Sequence, residues 1–424
     1  MTAELRRGLS RADLVSITLN SVIGAGIFTM PAALAAGAGS ASLAALLGML
    51  VLVVLIVLCM AEVASRYDVT GGPVVYVSSA FGPFAGFVAG WLLYLSRLAT
   101  FGAIAVTMLD YGGGLWAPLQ GTAARVVAIT VFVAVIAAIN LRGVVRGALT
   151  GNVLLALKLI PLVLLALAGA WLARGDALPL PAPAKIDDLG AAFLIALYAF
   201  LGFEQSTVVA GEARNPRRDV PIGLVGGIAA VGLLYSLLVL ACMHTVPNLG
   251  ETKRPLADAA AALVGAPGAT LVAVTAVLSC AGTLSVWMIA APRVLYALSA
   301  QGELPRALSF VHAIRGTPTI AILTSALLVW LLTVSGTFAY LATFSALTRL
   351  LVYAGSCAAL PVLRKQGGPA PVSIPFGQIL AALAVLLALG VLATTSLVAL
   401  RDVAIVLALG LALRLIVRLR NPQT

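Results

Sequence analysis

The chain has 424 residues, of which 62% are hydrophobic and only 10% charged, with a formal net charge of +11. Soluble domains carry about 25% charged residues, so this composition excludes a soluble enzyme or nucleic-acid binder. It describes a polytopic helical membrane protein, in which a basic excess is first a statement about topology. The four cysteines, Cys59, Cys242, Cys280 and Cys357, lie in apolar runs with neither metal-ligand spacing nor a disulfide framework, and read as small core residues.

Apolar runs of about 20 residues predict twelve spans, at roughly 13–37, 41–66, 83–112, 122–141, 149–173, 188–211, 220–243, 268–299, 317–334, 338–363, 375–394 and 399–419. An even number puts both termini on one side. Of the 26 Lys and Arg, 17 then fall in segments on the side of the termini, 6 on the other and 3 inside spans, which predicts cytoplasmic termini in a cell-membrane protein. The first apolar run ends in no cleavage-site pattern, so no cleavable signal peptide is expected.

Span 1 carries Ile23-Gly-Ala-Gly-Ile-Phe28. Each glycine inside a helix costs about 1 kcal/mol relative to Ala, and in lipid every freed N–H and C=O must find a partner. Two readings stay open here. One is an unwound stretch at Gly24, Ala25 and Gly26 that presents bare amides to a ligand; the other is close packing of helices on small residues. The loop 70–82 opens with Gly71-Gly-Pro and suits an interfacial or re-entrant helix. Span 3 holds Arg97 roughly 20 Å from its inner end at 1.5 Å per residue; a charge there faces protein, as an ion pair, a carbonyl cap or a substrate contact. Span 5 holds Lys158, several residues inside the span and so pointed into the bundle, where it serves as a titrating or cation-replacing amine or as a static tie.

The connector 178–183 is proline-rich and stiff. Span 6 has a second weak point at Tyr198-Ala-Phe-Leu-Gly-Phe-Glu-Gln-Ser-Thr207, with Glu204 as an intramembrane acid. In the polar loop that follows, Asn215-Pro216 signals a turn and Pro221 a helix start. The two weak points fall in the first and sixth spans, which makes spans 1–5 (13–173) and 6–10 (188–363) inverted blocks, with 375–419 outside them, all in one membrane domain. Paired interruptions of this kind point to a transport site at the repeat interface.

At these residues the chain resembles the amino acid–polyamine–organocation (APC) superfamily with the LeuT-type inverted-repeat fold. The matching stretches are Ile23-Gly-Ala-Gly-Ile-Phe, Gly71-Gly-Pro-Val-Val-Tyr-Val with Phe81-Gly82, Phe200-Leu-Gly-Phe-Glu204, Glu212-Ala-Arg-Asn-Pro-Arg-Arg-Asp-Val-Pro221, and Pro292-Arg-Val-Leu-Tyr-Ala-Leu with Gly302-Glu-Leu-Pro305. The resemblance implies an all-α membrane protein of twelve helices, a 5+5 repeat with broken helices 1 and 6 plus two peripheral ones. It also implies Phe101 and Trp287 as site-lining aromatics and Lys158 as the residue standing where sodium-coupled relatives hold an ion. Its ammonium would then donate to carbonyls near Gly24 and to hydroxyls of Ser279 or Thr283. Ala25 stands where a serine is common and Phe101 where the arginine exchangers have a polar residue, so a strongly polar side-chain pocket is not implied.

The chemistry expected of the breaks follows. Amides of Ala25, Gly26 and Ile27 at a helix N-terminus suit a carboxylate, while carbonyls of Val22, Ile23, Tyr198 and Leu201 suit an ammonium. Phe200 and Gly202 belong to the same stretch as the latter pair. An α-amino acid carries both charges on one carbon. Arg97 and Glu204 are expected to relieve each other as a pair. No nucleophile–base pair, metal triad, cofactor motif or phosphate-binding glycine loop is seen; His244 and His312 fall in loops on opposite sides. The function expected is a sodium-independent secondary transporter of neutral L-amino acids, proton-coupled or exchanging. A cationic amino acid or polyamine exchanger is the alternative within the family, and an intramembrane enzyme or a channel is the alternative outside it.

Overall fold

The computed structural model describes residues 9–68, 71–142, 148–172, 186–208, 210, 213–312, 316–368 and 370–420. The proline-rich connector 178–183, and residues 211 and 212 of the polar loop after span 6, lie outside them. In chain order the helices are α1 (Arg11–Val22), α2 (Ala25–Ala38), α3 (Ser42–Ala64), α4 (Pro73–Phe81), α5 (Pro83–Leu115), α6 (Thr122–Arg142), α7 (Ala148–Leu172) and α8 (Ile186–Phe200). Then follow α9 (Gln205–Val208), α10 (Pro216–Thr245), α11 (Pro255–Val264), α12 (Ala266–Ala300), α13 (Thr319–Ser335), α14 (Phe338–Gly367), α15 (Gly377–Ala393) and α16 (Leu397–Arg420). Among the described residues the only β-type pairing is an isolated bridge between Leu9 and Ala213.

Local chemistry sets the helix ends. Ser10 and Asp13 form a capping box that starts α1, with the Ser10 N–H donating to Asp13 Oδ2 at 2.8 Å. Proline at a first helical position, where the lost N–H would be orphaned anyway, opens α4, α5, α10 and α11. The expectation that Pro221 starts its helix is corrected here: Pro216 takes that position and Pro221 lies one turn inside α10.

Among the described residues six helices are long and apolar enough to cross a membrane, and two bent pairs raise the number to eight: α1 with α2, bent by 47°, and α15 with α16, bent by 111°. Four shorter apolar helices accompany them, at Leu155–Trp171, Leu189–Phe200, Pro255–Val264 and Thr319–Ser335. Val127, Val131, Val135 and Ile139 run along one face of α6 at helical spacing, and all four are exposed. Such a stripe would be a liability in water and is the ordinary outer face of a helix in lipid. The protein is an all-helical, multi-pass integral membrane protein.

The long helix α5 runs through the middle of the bundle, packed along α12 and α14, with α6 and α13 outside it. On the other side α1 crosses α10, α2 crosses α8, and α3 and α7 both lean on α10. Charged residues near helix ends clamp this arrangement. Glu62, at the end of α3, takes a bidentate pair from Arg364 of α14 at 2.6 Å each and a further N–H from Ile374. Glu303, just past α12, is held by Arg414 and Arg418 of α16, and the Arg414 guanidinium lies over the rings of Phe84 and Phe87.

Candidate functional site

The first break falls between α1 and α2. Ile23 ends α1 with its N–H on the Leu19 carbonyl, and the Gly24 N–H turns to the Val22 carbonyl at 2.8 Å. In a continuous helix the Gly24 N–H would serve Asn20 and the Ile27 N–H would serve Ile23. Those carbonyls are instead taken by Lys158, whose Nζ donates to Asn20 O at 2.9 Å and to Ile23 O at 2.6 Å. The Tyr235 hydroxyl donates to Val22 O at 3.0 Å. A cation and a phenol from α7 and α10 thus finish the C-terminus of α1. The N-terminus of α2 has no side-chain cap at Gly24, and its first amides are those of Ala25, Gly26 and Ile27.

The second break follows α8. Residues 201–204 are turns, the Leu201 N–H returns to Tyr198 O at 3.1 Å, and Gly202 adopts φ +111°. That conformation favours glycine, and a Cβ on Gly202 would also sit 2.6 Å from the Ser21 carbonyl oxygen. Gly26 packs as tightly, since its Cβ would lie 2.6 Å from the Ala199 Cα. The unwound stretch expected at Gly24, Ala25 and Gly26 is corrected to Ile23 and Gly24, since Ala25 and Gly26 are the first residues of α2. Gly24 lies in the break, and Gly26 lets α2 and α8 touch backbone to backbone. The two interruptions lie against one another.

Glu204 lies at the end of the second break. Its Oε2 accepts the Gly202 N–H at 3.1 Å and the Tyr353 hydroxyl at 2.7 Å, and its Oε1 lies 3.1 Å from Arg349 Nη1. The expected pairing with Arg97 is corrected. The register of α14 brings Arg349 to the acid, and Arg97 instead reaches the Ala290 carbonyl at 3.4 Å. Both guanidiniums lie over the Trp287 ring, at 5.7 Å for Arg97 and 5.3 Å for Arg349. Arg349 also donates from Nε to Ser96 Oγ at 3.0 Å.

Of the residues singled out above, Ala25, Phe101 and Trp287 are buried in one apolar cluster. Val22, Ile23, Ile27, Tyr198, Phe200 and Leu201 are buried in the adjoining one, where Tyr198 meets Phe338 edge-on and Phe200 packs on Tyr235. Lys158 is 4% exposed and borders a cavity of 830 Å³ between α1, α7 and α12 that also reaches Asn20, Gln205, Ser279, Thr283 and Trp287. The hydroxyl contacts expected of Lys158 are not among its hydrogen bonds: Thr283 donates to Ser279 O, and Ser279 Oγ has no partner among the described residues. A second cavity, of 550 Å³, lies at the other end of α2, bordered by Thr29, Asp110, Arg125, Lys253 and Phe338. Among the described residues no group of His, Cys, Asp or Glu is placed to hold a metal ion.

Arg349, Tyr353 and Tyr235 were not singled out by sequence reasoning. The signal for the first was present, since Arg349 is a basic residue in the middle of a span. Tyr353 follows it by four residues and so shares its helix face.

A family model described as amino acid permease matches residues 9–409. The chain is similar to a serine/threonine exchanger of Bacillus subtilis, at 28% identity over 333 residues, covering 75% of this chain and 74% of that protein. It is also similar to uncharacterized transporters of Mycobacterium bovis and Mycobacterium tuberculosis, each at 30% identity over 320 residues, covering 73% of this chain and 69% of theirs.

Proposed function

The chain belongs to the amino acid permease family, and from that premise we propose that it carries neutral L-amino acids across the cell membrane by alternating access, without sodium. The observation that carries this reading is the Lys158 ammonium on the Asn20 and Ile23 carbonyls at the first break. A fixed cation there holds the break open as a bound metal ion would, and leaves no need for one.

The α-carboxylate of the substrate goes to the amides of Ala25, Gly26 and Ile27 at the positive end of α2. Its ammonium goes to backbone carbonyls. Those of Val22 and Ile23 already hold Tyr235 and Lys158, which favours the second break for that contact, at Leu201 and at the lone pair of the Tyr198 carbonyl oxygen that the Leu201 N–H leaves free. The variable side chain is enclosed by Ala25, Phe101 and Trp287. Glu204 supports a neutral substrate over a cationic amino acid or polyamine, because its oxygens are engaged by Gly202, Tyr353 and Arg349. The relative named for serine and threonine extends the neutral class to small hydroxylated side chains and supports exchange as the mode. Proton symport is the outcome if Lys158 releases its proton during the cycle.

We read the bundle as twelve spans with cytoplasmic termini, 13–173 and 188–363 as inverted repeats and 375–419 beside them. Support comes from the 17-to-6 distribution of basic residues and from the contact between the two breaks. The test is uptake of radiolabelled alanine, serine and leucine into proteoliposomes with sodium replaced by choline, with and without an imposed pH gradient. Uptake is expected to persist in choline. Strict sodium dependence, or displacement by arginine or agmatine far better than by leucine or alanine, overturns the reading.

A further inference from the structure

Charge around Trp287 does not balance. Arg97 and Arg349 are 6% and 0% exposed, and both guanidiniums lie within 6 Å of the ring centroid, at 5.7 and 5.3 Å. The carboxylate beside them is Glu204, and it is committed to Arg349. Among the described residues Arg97 has no carboxylate partner; it makes one long hydrogen bond, 3.4 Å, to the Ala290 carbonyl, and its buried Nε has no acceptor. A guanidinium offers five N–H donors, and a cation at this depth is costly to insert. The Trp287 ring returns only part of that cost. The remaining donors and the remaining charge ask for an anion.

Position says which one. Arg97 precedes Phe101 by four residues on α5, so the two share a helix face. It therefore sits one turn from the enclosure of Ala25, Phe101 and Trp287, towards the Pro83 end of the helix. The Ala290 carbonyl that steadies it lies one turn from Trp287 on α12, and both residues border the 830 Å³ cavity. On the substrate reading above, an amino acid leaving the enclosure on that side would pass the guanidinium with its α-carboxylate.

We propose that Arg97, carried on the Trp287 ring, is a carboxylate-docking residue, which receives the α-carboxylate of the transported amino acid between the amides of α2 and the membrane face at the Pro83 end of α5. The role rests on the substrate reading above, and on the orientation that makes this face cytoplasmic. Arg349, bound to Glu204 and Ser96, keeps the ring and Glu204 in place, and Arg97 is the arm that exchanges partners.

The test uses the purified full chain in detergent with three probes: propionate, which has the carboxylate and no ammonium, propylammonium and chloride. Tryptophan emission and the thermal midpoint are read against probe concentration. Propionate is expected to give a saturable response that chloride and propylammonium do not. Arg97→Lys, which keeps the charge and loses the fork, should weaken it about tenfold, and Arg97→Gln by more than that, with the α2 amides left as the remaining carboxylate site. A chloride response equal to that of propionate, or a propionate response unchanged in Arg97→Gln, overturns the proposal. If Arg97→Gln does not stay monodisperse, Arg97→Lys decides, and an unchanged affinity overturns it. In oriented proteoliposomes Arg97→Lys should raise half-saturation about tenfold from the cytoplasmic face and leave the outer face within about twofold; an equal rise on both faces is a structural effect and also overturns it. Wild-type protein that transports amino acids and gives no saturable propionate response refutes the docking role alone. A propionate response in a protein that transports no amino acid refutes the substrate reading and with it the role given to the site.

Discussion

Replacing Lys158 by methionine separates what the ammonium does for the fold from what it does for the break. The side chain keeps its approximate length and loses its charge and donors. Two hydrogen bonds are lost, at 2.9 and 2.6 Å, and bonds from a charged donor contribute about 1.5–3 kcal/mol each. Against this, removing a buried ammonium recovers about 2.5–3.5 kcal/mol of insertion cost. At the lower bound of about 3 kcal/mol for the two bonds the loss and the recovery nearly offset, so on that bound the thermal midpoint of the methionine variant should move little. The break fares differently. With no donor from α7, the Asn20 and Ile23 carbonyls are satisfied most simply by the Gly24 and Ile27 amides of a healed helix, and Ile27 is one of the amides proposed above for the substrate carboxylate. At the lower bound of about 3 kcal/mol, the unwound geometry loses about a hundredfold in population, and the apparent affinity falls with the competent fraction. The assay is initial uptake of the best neutral substrate into proteoliposomes over a concentration series, with monodispersity and thermal midpoint measured in parallel. A near-native midpoint with half-saturation raised by about two decades is the expected result. If Lys158→Met keeps more than about a third of the initial rate at unchanged half-saturation, a raised population requirement is not there, and Lys158 is a static tie.

Gly26→Val should destabilise the protein by about 1–3 kcal/mol, the range for overpacking, because the new Cβ would lie 2.6 Å from the Ala199 Cα and backbone cannot yield. Gly390→Ala, where nothing lies within 4 Å, is the control and should be neutral or stabilising; equal midpoints for the two variants would refute close approach of α2 and α8. Glu204→Gln should cost about 3–5 kcal/mol by stranding Arg349, and Glu204→Gln with Arg349→Met should recover part of it; additive losses in that double-mutant cycle would mean the two do not interact. Burial pushes the Glu303 carboxyl up, but the hydrogen bonds and charges of Arg414 and Arg418 outweigh it and hold its pKa below the ordinary value of 4.5. A depressed carboxylate pKa stabilises the folded state above the unfolded value and loses that stabilisation as pH falls through the folded one. The difference in midpoint between wild type and Glu303→Gln should therefore be flat from neutral pH down to about 4.5 and shrink below it; a difference that grows on acidification contradicts the clamp.

The breaks were legible because glycine and acidic residues inside apolar runs violate the local rules for a spanning helix, and such violations can be read one span at a time. Lys158 was legible on the same ground; its bond to the end of α1 was not in the pattern of span 5 and was expected only from the resemblance, which puts a span 5 lysine beside the first break. The hydroxyls of α12 were not legible, because which face of a helix meets Lys158 depends on rotation about the helix axis. Twenty apolar residues fix length and leave that rotation free.

The same freedom explains the misplaced partner of Glu204. Arg97 and Arg349 are both single charges near the middle of a span, and nothing in either span's own pattern says which of them faces span 6. The choice is made by side chains that look featureless in sequence. Ser96 hydrogen-bonds to Ser345 and receives the Arg349 Nε, and Thr100 reaches the same Ser345 at 2.6 Å. These hydroxyls lock α5 to α14 in the register that turns Arg349 to Glu204. Arg97 follows Ser96 directly, so it projects about 100° further round α5, off that seam and towards Trp287 and Ala290 on α12. Fixing Arg349 on the acid is therefore the same event that leaves Arg97 without one.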